Sequence, residues 1–448
     1  MKPDGFGRRN RGFLALVFAA TGTLAACAAT PPSSESLAPT AGASATGTGA
    51  SLAATTTASA IPTAGKTPAE SPSTTPSVTP GGYHWVQVDP AQFGGVGLQA
   101  VTATPDARLF AIGDWVSAEA PDGTPRHPTA WTSSDGSAWF RQPDSQGFVS
   151  RRSNWEEVVL DIVPDGPGFV AVGMEQLSDA STADAAAWFS PDARTWTRAK
   201  VADGIGRTMD QIVATDTGFV AIGEAGYDFH GGFGAGTAIW TSPDGRTWTR
   251  LADKAAPPRG TALGSIVAGG VGFLATASFE YSQGVEVPPR QPLTAGIWRS
   301  NDAIHWTPIP GAPLGVGQIV RVSEGFVAFG TGNTGDVAHP VSWRSRDGRT
   351  WTPVEVPPPD DLPDGTSVYG HLLVNGTAGL LAFGARDDNY TTVGWSSPDG
   401  TVWTPLDPGA ILAGTTIERA RALGGSILLL GDRSNAATSD PVTWRLSP

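Results

Sequence analysis

Short apolar runs bounded by turn residues recur along this chain, and none repeats with a helical period. Gly218-Phe-Val-Ala-Ile-Gly223, Gly325-Phe-Val-Ala-Phe-Gly330 and Gly379-Leu-Leu-Ala-Phe-Gly384 are three examples. Each follows another short apolar run across a tight turn, as Gln211-Ile-Val-Ala-Thr215 precedes Gly218. Looser versions contain Leu109-Phe-Ala-Ile-Gly113, Phe169-Val-Ala-Val-Gly173, Phe273-Leu-Ala-Thr-Ala277 and Ile427-Leu-Leu-Leu-Gly431. Apolar runs this short, punctuated by Gly, Asp and Ser, predict paired strands and no amphipathic helix.

A sharper pattern follows each pair. It reads Trp240-Thr-Ser-Pro-Asp-Gly-Arg-Thr-Trp248, with copies at Trp131–Trp139, Trp188–Trp196, Trp298–Trp306, Trp343–Trp351 and Trp395–Trp403. Ser, Pro and Gly sit where a type I turn followed by a left-handed residue wants them. The nonapeptide therefore predicts a β-hairpin with a three-residue loop and its two tryptophans facing each other. The recurrent Asp135, Asp192, Asp244, Asp302, Asp347 and Asp399 read as structural, because a short carboxylate in a turn accepts the following amides. Two copies place Ala193 and Ala303 where Gly is expected. A left-handed Ala costs roughly 1–2 kcal/mol, so those turns should be strained or differently shaped.

The first tryptophans fall at 131, 188, 240, 298, 343, 395 and 444. Four strands per unit, repeating every ~50 residues, predict a β-propeller. The fold class is thus all-β, a seven-bladed propeller with four antiparallel strands per blade. Pro441-Val-Thr-Trp-Arg-Leu-Ser-Pro448 supplies only the third strand of the last blade, and His84-Trp-Val-Gln-Val-Asp-Pro90 resembles the fourth. The expectation is a 3+1 closure by the N-terminal strand, with Trp85 facing Trp444. Of the 16 tryptophans, only Trp115 and Trp155 stand outside the pattern.

The hairpin resembles the Asp-box, or BNR repeat, of sialidase-like propellers, Ser-x-Asp-x-Gly-x-Thr-Trp. Ser242-Pro-Asp-Gly-Arg-Thr-Trp248 is one residue shorter, with Gly directly after Asp. The resemblance implies a fold and not a reaction, since that superfamily holds hydrolases, assembly factors and receptors alike. It also implies that the Asp turns lie away from any active site. The early Phe/Tyr-Arg-Ile-Pro signature of a sialidase is not visible after Tyr83, and seven blades fit a sialidase poorly.

The N-terminus carries an address. Residues 1–27 read as an export signal, with Arg8, Arg9 and Arg11 before a short apolar segment. It ends at Leu24-Ala-Ala-Cys27, which resembles the bacterial lipobox. Cys27 is the only cysteine in the 448 residues, so it is the lipidation candidate, and no intrachain disulfide can form. Residues 28–82 are Ala, Thr, Ser, Pro and Gly, too poor in apolar side chains to fold, and read as a tether. The propeller then occupies 83–448. Localisation follows as exported and lipid-anchored to the outer face of the bacterial cell membrane.

The formal net charge is −13, which argues against nucleic acid and against direct binding to anionic lipid. The six histidines show no metal-ligand spacing, and no phosphate loop or nucleophile elbow is present. Neither metal nor cofactor is expected. In a propeller the loops between the second and third strands, and between blades, share the face opposite the Asp turns. Loops of that kind usually carry binding. The candidate binding face there comprises Trp115, His127, Trp155, Tyr227, His230 and Tyr281. Gln211, Gln318, His371 and Arg419 join it from the inner strands, where a polar side chain meets the central channel.

The preferred expectation is a monomeric binding module for a protein or glycan, touching the membrane only through its lipid. A glycoside hydrolase using Tyr281, Glu280 and Asp228 is the alternative. A helper in assembling an envelope complex is a third.

Overall fold

The computed structural model describes residues 82–448 except 95, 104–107, 115–126, 166–167, 178–181, 227–235, 253–255, 259–260, 271, 280–295, 360–361, 388–390, 407–411, 413, 424 and 435–438. The export signal, Cys27 and residues 28–81 of the tether thus lie outside the described residues. Seven sheets form a seven-bladed propeller, and within a blade the strands pair antiparallel with their sequence neighbours, apart from additions in blades 3 and 7. The innermost strands, called A here, are Gly97–Ala103, Trp155–Asp165, Gln211–Thr215, Thr261–Gly269, Val316–Val322, Val368–Gly376 and Thr415–Leu423, for blades 1 to 7. Strands B, C and D follow outward. Two 3₁₀ turns, Pro90–Phe93 and Gln146–Phe148, are the only helical elements among the described residues.

Blade 7 is closed as the sequence requires. Its sheet runs from Thr415–Leu423 through Ser426–Ser434 and Ser439–Ser447 to the N-terminal strand His84–Gln87. Val88 adds one more bond, donating its N–H to the Thr443 carbonyl at 2.9 Å. Blade 3 carries a fifth strand that the sequence did not predict. Lys200–Val201, leaving blade 2, pairs in parallel with Thr247–Arg250 and covers that blade's outer edge.

The repeated alanine of strand B has a packing reason. Ala111, Ala171, Ala221, Ala275, Ala328 and Ala382 lie opposite the first tryptophans Trp131, Trp188, Trp240, Trp298, Trp343 and Trp395. All six alanines are fully buried. A methyl group leaves the space that an indole on the next strand fills, at interior packing density. Blade 7 departs from this, with Leu429 opposite Trp444.

The Asp hairpin differs from its expected form. Trp240 pairs with Arg250 and Thr241 with Thr249, so Trp248 falls ahead of the residues paired with strand C, not opposite Trp240. The same two-residue offset appears at Trp131↔Arg141, Trp188↔Arg198, Trp298↔Pro308 and Trp395↔Pro405. The cause is the carboxylate. Asp244 Oδ1 accepts the amides of Arg246 at 2.9 Å and Thr247 at 3.2 Å, while Ser242 Oγ accepts Gly245 N–H at 2.8 Å. Those amides are turned inward and cannot pair across a three-residue hairpin. The second indole then buries against the turn, where Trp248 Nε1 donates to the Gly245 carbonyl at 3.1 Å.

In blades 1, 2 and 6 the two tryptophans meet through a third ring. Phe93 touches Trp131 and Trp139, Phe148 touches Trp188 and Trp196, and Phe329 touches Trp395 and Trp403, at centroid distances of 4.9–5.9 Å. The expected Trp85–Trp444 facing is corrected in the same way. Trp85 lies opposite Leu446 and Gln87 opposite Trp444.

Ala193 and Ala303 hold φ of 64° and 59°, beside 71° at Gly245 and 66° at Gly348. These turns keep the common shape and carry the left-handed strain.

Candidate functional site

The two faces of the propeller differ in construction. On one face, the A–B turns of blades 2 to 7 have two residues each, as between Thr215 and Gly218 or Gly376 and Gly379. The Asp loops share that face. Asp135, Asp192, Asp302 and Asp347 repeat the two-amide pattern of Asp244, at 2.7–3.1 Å. Asp399 Oδ1 accepts Thr401 N–H. These bonds hold all six carboxyls below the usual aspartate range, Asp347 at about 2. The opposite face carries connections of uneven length. Thr334 and Val337 bound a two-residue B–C turn in blade 5, whereas Asp114 to Thr129, Glu224 to Thr237 and Phe279 to Gly296 bound long ones in blades 1, 3 and 4.

The inner strands bring part of the expected set together. Register slips interrupt strand A in every blade except blade 3. Polar side chains of strand A reach the next blade, in blade 3 as in the blades that carry a slip. Gln211 Oε1 accepts Ile266 N–H at 3.0 Å, and Gln318 Oε1 accepts Leu373 N–H at 2.9 Å. His371 sets Nε2 3.1 Å from the Ile417 carbonyl and Nδ1 3.3 Å from that of Tyr369. Arg419 closes the circle by donating to the main-chain and side-chain oxygens of Gln99 in blade 1. Gln211, Gln318, His371 and Arg419 therefore link blades 3 to 4, 5 to 6, 6 to 7 and 7 to 1.

The sequence reading missed the acid in this ring. Asp161 accepts Ile212 N–H at 3.1 Å, linking blade 2 to 3, and takes Arg421 of blade 7 at 3.0 Å across the channel. Asp210 stands beside it at the start of blade 3. Burial pushes its carboxyl up to about 6 against the pull of Thr208 and Arg419. Glu418 is raised to about 7 by burial and by Asp432. Burial lowers the Arg419 guanidinium, and nearby carboxylates oppose that. Between blades 7 and 1, against Gln99, Glu418, Arg419 and Asp432, lies a cavity of about 20 Å³, room for one water. A signal was available, since Asp161 interrupts the apolar run Val158-Val-Leu-Asp-Ile-Val163 at the position where other blades show Gln or His.

A second polar cluster lies at the loop-face end of blade 2, and Trp155 belongs to it. The Arg152 guanidinium covers the Trp155 ring at 3.3 Å and binds Asp184 at 2.8 Å. Glu175 receives Arg152 and Ser150, and Arg198 reaches both Glu157 and Glu175. Glu157 and Glu175 are cross-strand neighbours. Burial pushes Glu157 up to about 8, with Arg198 opposing, whereas Arg152 and Ser150 hold Glu175 below the ordinary glutamate value. Both glutamates are buried behind the arginines.

His127 stands apart, with Nε2 3.9 Å from Asp144. Trp115, Tyr227, His230 and Tyr281 fall outside the described residues, as do the catalytic candidates Glu280 and Asp228. Among the described residues no group of three His, Cys, Asp or Glu could hold a metal ion. A larger cavity, about 230 Å³, opens on the Asp-turn face between blades 1 and 2, against Leu109, Phe110, Phe169 and Asp192.

No protein-family model matches this sequence, and no curated protein does. Among solved structures, the chain is similar to an α-L-arabinanase from Penicillium chrysogenum. The identity is 12%, the TM-score 0.42, and the match covers 79% of this chain and 93% of that one. A β-fructofuranosidase from Schwanniomyces occidentalis shares 10% identity at TM-score 0.36, covering 78% and 91%. A periplasmic gluconolactonase from Pseudomonas aeruginosa shares 9% at TM-score 0.35, covering 78% and 88%. Likeness at this level carries no reaction or substrate to this chain.

Proposed function

We propose that this chain is an exported lipoprotein, anchored through Cys27 to the outer face of the bacterial cell membrane, whose propeller binds a protein or glycan on its loop face. We also read it as a divergent relative of the Asp-box propellers, on the strength of the Ser–Asp–Trp loop. The observation that carries the binding proposal is the contrast between faces. One is built from near-identical turns locked by aspartates, and the other from connections whose length changes from blade to blade. A rigid scaffold with variation confined to one face is the usual layout of a binding surface. In the channel, Asp161, Gln211, Gln318 and Arg419 are engaged in holding blades together, which favours the loops over the channel as the contact surface.

The test is a glycan array and an envelope-extract pull-down with the mature protein. Partner capture should disappear when residues 280–295 are replaced by the two-residue turn of blade 5, Gly335-Asp336. Release of free sugar with ordinary turnover would overturn the binding reading in favour of a hydrolase. Such an enzyme needs two carboxyls about 5–9.5 Å apart at an open site.

A further inference from the structure

Between blades 2 and 3 the chain holds one isoleucine out in solvent. Ile205 is 80% exposed, in the loop-face connection from Val201 to Gln211. A single exposed apolar side chain needs no account; the frame around this one does. Asp203 and Gly206, on either side, hold φ of 52° and 65°. Left-handed backbone at an Asp costs energy and persists where its surroundings impose it. Arg207 imposes it, donating Nη1 to the carbonyls of Asp203 at 3.3 Å and Ile205 at 2.7 Å. From strand C of blade 2, Ala185 N–H donates to the Gly204 carbonyl, and Asp184 Oδ1 accepts Gly206 N–H, both at 2.9 Å. Ile205 is thus a fixed knob on the loop face.

The Asp-turn face carries a socket. In blades 2 and 5, Val170 and Val327 of strand B press on the Asp turn of the next blade, where a Cβ on Gly245 or Gly400 would lie 2.4 or 2.6 Å from a valine methyl. Blade 1 has Phe110 at that position, opposite Thr132 as Val170 is opposite Phe189. The Phe110 ring stacks on Phe169 at 4.8 Å. The cavity of about 230 Å³ stays open beside these rings, against Leu109, Thr132, Pro191 and Ala193. An apolar cavity of about 150 Å³ accepts a benzene, so this one has room for an isoleucine side chain.

We propose that Ile205 of one copy seats in the Asp-turn cavity between blades 1 and 2 of a second copy, so that the chain associates head to tail. Knob and socket lie on opposite faces, so no copy fills its own. Ile205 bridges Asp184 of strand C, and the socket is walled by Leu109 and Phe110 of strand B and Thr132 of strand C. They therefore lie at similar distances from the propeller axis, one seam apart, and a stack rotated by one blade aligns them. Charge fits crosswise, with Asp203 and Arg207 flanking the knob and Arg108 and Asp192 lining the socket. A contact between unlike faces does not close on itself, so every added copy leaves a knob at one end and a socket at the other. The contact centres on one aliphatic anchor, so its dissociation constant should be on the order of 0.1–1 mM. This inference needs neither the lipid anchor nor the partner reading.

Sedimentation equilibrium of the mature protein tests this, with Cys27→Ser in every sample so that no lipid drives association. The parent's weight-average mass should climb past that of a dimer by about 1 mM. Ile205→Asp spoils the knob and Thr132→Trp fills the socket, and each alone should stay monomeric over the same range. Mixed in equal amounts, the two keep one good knob and one good socket between them, and should form a dimer and nothing larger. Ile205→Leu should associate like the parent. A parent that stays monomeric, or an Ile205→Asp protein that associates as the parent does, overturns the proposal. So does a mixture of folded variants that stays monomeric while the parent associates. Ile205→Asp changes an exposed side chain, so it reads the knob even if Thr132→Trp does not fold.

Discussion

Trp85 lies opposite Leu446 across the seam between the first and last strands of the propeller, and its indole meets Phe383 of blade 6 edge-on at 6.3 Å. The closing strand is therefore held twice, by its ladder to Ser439–Ser447 and by packing on the neighbouring blade. Trp85→Ala removes the second hold. Trp85 is only partly buried, so the cost should be about 2–3 kcal/mol, below that of a fully buried indole. Urea denaturation of the mature protein measures it. A change under about 0.5 kcal/mol would mean the ladder alone closes the ring.

The left-handed alanines offer gains in stability. Ala303→Gly relieves a positive φ worth roughly 1–2 kcal/mol and gives back about 0.4–1 kcal/mol through a more flexible unfolded chain. The net expectation is a stabilisation of about 0.5–1 kcal/mol, and the same sign at Ala193. Gly245→Ala should do the reverse. Its φ is 71° and the new Cβ would lie 2.4 Å from Val170 Cγ2. Denaturant midpoints of the three variants should fall on opposite sides of the parent.

Asp347 makes the Asp turns sensitive to acid. Its carboxyl sits at about 2 when folded, because Thr350 and Arg349 amides bond the ionised form. The unfolded value is about 3.9. A depressed folded pKa contributes stability that is present above about pH 4 and is lost as pH falls through about 2. Asp347→Asn should therefore destabilise near pH 7 by about 1 kcal/mol, with the difference shrinking toward pH 2. Melting temperatures across that range check it; a constant offset would count against the charge as the cause.

Glu157 works in the opposite direction. Burial raises its folded pKa to about 8, above an unfolded value near 4.3. Protonated Glu157 favours the folded state, so this contribution is complete below about pH 4 and is lost as pH rises to about 8. Glu157→Gln removes the titration. Its stability should decline less than the parent's between pH 5 and 8, read from denaturant midpoints. Parallel profiles would show that Arg198 keeps Glu157 ionised throughout.

Much of the candidate site escaped the sequence for a physical reason. Gln211, Gln318, His371 and Arg419 were legible as channel residues because a polar side chain interrupts an apolar inner strand. Their partners were not, since Ile266 N–H, Leu373 N–H and Gln99 belong to the next blade, and no local pattern encodes which amide faces which side chain. The blade 2 cluster was hidden further. Trp155 stood out as an unrepeated tryptophan, but Glu157, Glu175 and Arg198 converge only through the pairing of all four strands of the blade.

The sequence by itself determined the architecture. Strand-length apolar runs, a nonapeptide with fixed spacing and a split last unit are local signals, and seven copies reinforce one another. The inner structure of that nonapeptide was decided by tertiary structure. Read locally, Ser-Pro-Asp-Gly suggested a three-residue loop with facing tryptophans. In the fold, the carboxylate captures the amides that follow it and widens the loop, and in blades 1, 2 and 6 the two indoles are bridged by a phenyl ring from elsewhere in the chain. The hydrogen bonds of a turn and the packing of a ring compete for the same backbone, and only the assembled blade fixes which prevails.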